Sequence, residues 1–116
     1  MLESQTPLTP ALFNVLLALA DGDKHGYAIL KEVAGQTGGE VQLNTGTLYG
    51  IIKRLLSQGL IEELRRRPPS DQDDQRRRYY RLTAEGRGVA EAEAERMRKV
   101  VARARAKQLL PSVTRA

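Results

Sequence analysis

Hydrophobic positions divide the chain into four helical runs, with a pair of short alternating runs between the third and the fourth. The first helical run, residues 10–20, opens with Thr9 and Pro10, a capping hydroxyl followed by a first-turn proline. Ala11, Leu12, Phe13, Val15, Leu16, Leu17, Ala18 and Leu19 make it apolar nearly all round, which calls for two neighbours: the domain core and, on this reading, a partner subunit. Asp21-Gly22-Asp23 reads as a turn. The second run, residues 26–37, places Tyr27, Leu30, Val33 and Ala34 at core spacing and stops at Gly38-Gly39. Residues 39–43 are expected to form a short strand that pairs with the later hairpin. In the third run, residues 44–58, Leu48, Ile51, Ile52, Leu55 and Leu56 form one stripe. Asn44 suits its N-cap, and Gly59 suits the left-handed residue after it, letting Leu60 fold back onto Leu55.

Residues 60–67 and 76–82 are β-prone and flank a polar loop opened by Pro68-Pro69, the pattern of a hairpin. Alternation sets Arg78, Tyr80 and Leu82 against Arg77, Tyr79 and Arg81, so Tyr80 packs inward with Leu82 while Tyr79 stays more exposed. Thr83 caps the last run, residues 84–110, which Pro111 ends; its 27 residues would reach roughly 40 Å, more than so small a domain can cover. Ala90, Ala94, Met97, Val101 and Ala104 step by 4, 3, 4, 3 along it as a short heptad seam. Its acids (Glu85, Glu91, Glu93, Glu95) precede its bases (Arg96, Arg98, Lys99, Arg103, Arg105, Lys107). That order complements the helix dipole and would also let two copies pair antiparallel about a two-fold axis. The expected fold is mainly α with a small β-hairpin wing: a winged helix-turn-helix over residues 1–82, then a C-terminal dimerisation helix and tail over 83–116.

The face of the third helix opposite its apolar stripe reads Gly46, Tyr49, Gly50, Lys53, Arg54 and Ser57, with no acid. A glycine within a helix costs about 1 kcal/mol relative to alanine, so two on one outward face suit a backbone that must approach another surface closely. A helix with this face followed by a basic hairpin is the layout of a winged helix on duplex DNA. The loop acids Asp71, Asp73 and Asp74 oppose contact at the tip, which moves the expected phosphate contacts to Arg76, Arg77 and Arg78 on the arm.

A net charge of +5 favours a polyanionic partner without naming one. The absence of cysteine excludes disulfides and thiolate metal sites, and one histidine, His25, leaves no metal set and no nucleophile–base constellation. His25 therefore reads as the residue that leads into the second helix. No cofactor is expected. The longest apolar run, residues 11–20, is too short to span a bilayer and no signal segment precedes it, so a cytoplasmic location without a membrane partner is expected.

His25-Gly26-Tyr27, Gly46-Thr47-Leu48-Tyr49, Leu55, Gly59-Leu60-Ile61, and Arg78-Tyr79-Tyr80-Arg81-Leu82-Thr83 with Gly86 together resemble the PadR family of bacterial transcriptional regulators, over about residues 8–87. The resemblance implies a homodimeric repressor of the short-chain branch, with one C-terminal helix. On that footing Asn44, Thr45, Gly46, Thr47, Tyr49, Gly50, Lys53 and Arg54 form the DNA-binding helix, with Tyr49 touching a phosphate. Leu12, Leu16, Ala90, Ala94, Met97, Val101 and Ala104 would serve dimerisation. Relatives that sense small molecules suggest an effector site at Leu12, Val15, Met97 and Val101, though no tryptophan is present to stack on a planar ligand. The rival reading is a winged-helix protein-interaction module, which the basic helix face disfavours.

Overall fold

Capping side chains decide where the helices begin. In the computed structural model, which describes residues 8–64 and 78–111, α1 (Pro10–Ala18) starts behind Thr9, whose hydroxyl accepts the Leu12 N–H at 3.2 Å. The Lys24 ammonium donates to the Ala18 carbonyl at 2.7 Å and closes that helix two residues earlier than its apolar pattern suggests. His25 caps α2 (Gly26–Gln36), its Nδ1 accepting the Ala28 N–H at 3.2 Å, so the histidine does lead into this helix. Asn44 caps α3 (Thr45–Ser57) through the Thr47 N–H at 2.8 Å, and Thr83 caps α4 (Ala84–Ala106) through the Gly86 N–H at 2.9 Å.

Three of the helices end alike. After α3, Gly59 takes φ 74° and the Leu60 N–H donates back to the Leu55 carbonyl at 3.0 Å. After α2, Gly38 takes φ 61° and the Gly39 N–H reaches the Ala34 carbonyl at 2.8 Å. The same turn closes α4 with Gln108 at φ 67° and the Leu109 N–H on the Ala104 carbonyl at 2.8 Å. The last helix therefore stops at Ala106 rather than at residue 110, because the chain leaves the helix before Pro111 can end it.

The sheet has three antiparallel strands in the order β1-β3-β2: β1 (Lys24–His25), β3 (Tyr79–Leu82) and β2 (Ile61–Leu64). Ile61 faces Leu82 and Leu64 faces Tyr79 across the wing, while Lys24 faces Tyr80 and His25 faces Tyr79 on the other edge. This corrects the expected strand at residues 39–43. Two consecutive positive-φ glycines turn the chain there, and Thr37 holds the turn by accepting the Val41 N–H at 3.0 Å while donating to the Val33 carbonyl at 2.9 Å. Val41 and Leu43 pack against the core from a loop.

Leu16, Val15, Ile29, Val33, Leu48, Ile52, Leu55, Ile61 and Tyr80 form that core. The stripe of α2 runs through Gly26, Ile29 and Val33, so Tyr27 is not a core residue: it is 60% exposed. The first helix also departs from expectation, since one chain buries Leu12, Phe13, Val15, Leu16, Ala18 and Leu19 and leaves only Leu17 of its large apolar residues exposed. It finds both neighbours at home, in α2 and in the start of α4. No helix among the described residues is long and apolar enough to cross a membrane.

Candidate nucleic-acid interface

Because Leu48, Ile52 and Leu55 anchor α3 from below, its opposite side is set outward: Gly46, Tyr49, Gly50, Lys53, Arg54 and Ser57 are all exposed. Neither Lys53 nor Arg54 is paired with an acid among the described residues. Among the described residues a Cβ added at Gly50 would meet nothing within 4 Å, and one at Gly46 would meet only the Asn44 side chain at 3.6 Å. The intramolecular packing gives no reason for either glycine. Asn44 and Thr47 are joined by the helix cap, and both remain exposed with Thr45 at the leading end of the helix.

Tyr49 occupies a seat of its own. Its ring stands over the first residue of α2, where a Cβ on Gly26 would collide with the Tyr49 hydroxyl and lie 3.0 Å from the ring carbon that bears it. Gly26 is therefore the counterpart of Tyr49, and the His-Gly-Tyr and Gly-Thr-Leu-Tyr fragments are two sides of one contact. The ring is still 46% exposed, and its hydroxyl makes no hydrogen bond among the described residues. The interface between α3 and the wing lies beside it. Burial raises the Tyr80 phenol above its ordinary pKa, with nearby Glu63 and Tyr49 adding to the effect and Arg78 opposing it, so Tyr80 is a neutral phenol at the wing root. His25 meets Tyr79 edge-on, ring centroids 5.4 Å apart, which ties the start of α2 to the same strand.

The wing cations differ from those of α3. Arg78 lies 3.6 Å from the Glu63 carboxylate, and Arg81 sits 3.4 Å from Asp23 and 3.8 Å from Glu62. These are exposed pairs of small energetic worth, but each offsets charge that a phosphate would otherwise meet. Arg76 and Arg77 lie outside the described residues, as do the loop acids Asp71, Asp73 and Asp74. Of the basic arm expected from the sequence, Arg78 is the residue described, and it is matched with an acid of the facing strand.

The residues assigned to dimerisation are divided. Leu16 is wholly buried and Leu12 nearly so within one chain. Ala90 packs partly against the core, and Met97 and Ala104 are half-buried, whereas Ala94 and Val101 are exposed. Exposed Val100, Leu109 and Leu110 accompany Val101 toward the end of α4. Glu93 is buried further up this helix. A hydrogen bond from Arg96 at 2.6 Å holds its carboxyl below the usual carboxylate range. Tyr27, expected in the core, is exposed instead, and the Lys31 ammonium lies 5.5 Å from its ring centroid. Their i, i+4 spacing was the signal, hidden by counting Tyr27 into the core.

The family model for the "Transcriptional regulator PadR-like family" matches residues 15–92. The chain belongs to this family. A PadR family transcription regulator from Clostridium difficile is 27% identical, over 86% of this chain and 99% of its own, with a TM-score of 0.71. BpsR of Bordetella bronchiseptica, whose DNA binding is regulated by 6-hydroxynicotinic acid, is 27% identical over 81% of this chain and 62% of its own, with a TM-score of 0.61. An uncharacterized 37.1 kDa protein in transposon TN4556 of Streptomyces fradiae is 37% identical over 92 residues. That match covers 77% of this chain but only 23% of the longer relative. The chain thus spans about a quarter of that relative's length.

Proposed function

We propose that the chain is a homodimeric, sequence-specific DNA-binding repressor that presents α3 to the major groove of an inverted-repeat operator. The observation that carries this reading is the outer face of α3: two cations with no acid partner among the described residues, an exposed phenol, and two glycines that the packing of those residues does not require. Lys53 and Arg54 can donate to phosphates or guanine edges, and the open glycines let the helix backbone sink against the groove. Two such helices on successive major grooves would stand about 34–36 Å apart. The distal half of α4 and the turn after it supply the second subunit's seat, because Val100 and Val101 on the helix and Leu109 and Leu110 beyond it are exposed.

A small-molecule effector fits the reading in one form only. Leu12 and Val15 are buried within one chain, so of the four effector candidates half-buried Met97 and exposed Val101 are the two open to a pocket that a partner subunit would close.

Binding is tested with DNA from upstream of the protein's own gene, using the whole chain and a chain ending at Arg96. With three to five phosphate contacts per subunit, the dimer's log–log salt slope should be roughly −5 to −9. The shortened chain keeps the packed Val89, Ala90 and Glu93, so it should fold as a monomer with about half that slope. A slope near zero for the whole chain defeats DNA as the partner; an unchanged dimer after truncation, seen in sedimentation, defeats the assignment of α4.

A further inference from the structure

Gly26 and His25 are accounted for by the fold, the first by the Tyr49 ring above it and the second by its cap and its contact with Tyr79. Tyr27, the third residue of that fragment, is not. It is 60% exposed and makes no hydrogen bond among the described residues. Among the described residues its partner is Lys31, whose ammonium lies 5.5 Å from the ring centroid. The phenol stands in water on a helix whose aliphatic residues Ile29 and Val33 are buried and Leu30 partly so.

The side of α2 on which the pair lies is fixed by the packing. Gln36 Nε2 donates to both the carbonyl and the side-chain oxygen of Asn14 on α1, each at 3.0 Å. Nine positions at about 100° per residue put Tyr27 on the opposite side of the helix from Gln36, away from α1. Glu32, the one acid of α2, is also away from the pair, held 3.5 Å from the Lys24 ammonium. The Tyr49 hydroxyl rests on Gly26, one residue before Tyr27, so both phenols rise from the same end of α2. Lys31, one turn on, leans back over the ring toward that end, as helical side chains do.

We propose that Tyr27 and Lys31 form a second DNA-backbone site, on α2, flanking the face of α3. The proposal rests on the DNA-binding reading above and deepens it. In a helix-turn-helix the helix before the recognition helix crosses the phosphate backbone. Here that crossing has specific chemistry: the Tyr27 O–H donates to a phosphate oxygen, and the Lys31 ammonium, pre-placed by the ring, supplies the point charge. The ring removes rotamer freedom from the lysine before DNA arrives, so less is lost on binding. Such a site holds the helix in register without reading sequence.

Lys31→Ala and Tyr27→Phe are compared with the wild-type chain on an operator duplex and on a random duplex, over a salt series. Lys31→Ala should lower affinity about tenfold on both duplexes and flatten the dimer's slope by about 1.8, two phosphates at 0.9 each. Tyr27→Phe keeps the ring under the lysine and should lower affinity about threefold with no change of slope. Lys31→Arg should restore the slope. Wild-type slope and affinity in Lys31→Ala would overturn the proposal while leaving the DNA-binding reading intact. A loss confined to the operator would overturn it too, since it would make the contact a base contact. A lowered thermal melt in either variant with DNA binding unchanged would return the pair to the fold. Absence of salt-dependent binding by the wild-type chain itself would be the failure of the parent reading, distinguishable because it requires no variant.

Discussion

Gly86 and Gly50 are both helical glycines, and they sit in opposite surroundings. Gly86, in the first turn of α4, lies against the turn that follows α3: an added Cβ would strike the Leu60 carbonyl oxygen, lie 2.8 Å from its carbon and 3.0 Å from a Leu82 methyl. The same carbonyl accepts the Thr83 N–H at 3.1 Å, and the Thr83 hydroxyl donates to the Gly59 carbonyl at 2.7 Å. Backbone meets backbone at that seam, and only a residue without a side chain fits. Gly50, on the outer face of α3, meets nothing within 4 Å among the described residues. One glycine is explained by what the chain packs against itself. The other has to be explained by something outside the chain, or it is simply a weak point in a helix.

Alanine substitution separates the two cases. Gly86→Ala should destabilise the fold by about 3 kcal/mol, the upper part of the usual cost of overpacking, because the obstructing atoms are backbone and cannot swing away. Chemical denaturation would register it as a lowered midpoint. A variant as stable as wild type would mean that the α3–α4 seam opens easily, and the contrast with Gly50 would collapse.

Gly50→Ala should act in the opposite direction on stability, raising it by about 1 kcal/mol through helix propensity alone. Duplex affinity should nonetheless fall by about 1–3 kcal/mol, since a methyl group then stands in a closely packed interface. Opposite signs in one variant, a higher melt and weaker binding, are the signature of a glycine kept for an external partner. Higher stability with unchanged affinity would reduce Gly50 to a neutral surface residue.

This contrast was half legible beforehand. The open face of α3 could be read because its five apolar residues define a stripe and Asn44 and Gly59 mark its ends, so the outward positions followed by subtraction. Gly26 and Gly86 could not be read that way, because each is required by a residue distant in sequence, Tyr49 in one case and Leu60 in the other. The misplacement of Tyr27 has the same root. With a glycine heading the true stripe of Gly26, Ile29 and Val33, the pattern appeared to start one residue later. β1 has only two residues, too few for alternation to register. The end of α4 was hidden by a glutamine in a left-handed conformation where glycine is the usual signal. The neighbours of the first helix within the chain, α2 and the start of α4, were not legible either, because all-round hydrophobicity says how many faces are covered and not by what.

The smallest expected effect belongs to Tyr49→Phe, and it tests the boundary between the two regions. The ring covers Gly26 and is kept in the variant, so folding stability should barely change. The hydroxyl has no hydrogen bond to lose among the described residues. If it reaches a phosphate, affinity should fall by about 0.5–1.5 kcal/mol, the net worth of one hydrogen bond. The loss should be equal on operator and random duplex, because phosphates carry no sequence information directly. Lys53→Ala is the internal control: a lysine that reads a base edge costs more on the operator than on random DNA. A melt several degrees lower in Tyr49→Phe with affinity untouched would assign the hydroxyl to the α2–α3 contact. Tyr49 would then belong with Gly86 among the residues the fold needs for itself, and the outer face of α3 would begin at Gly50.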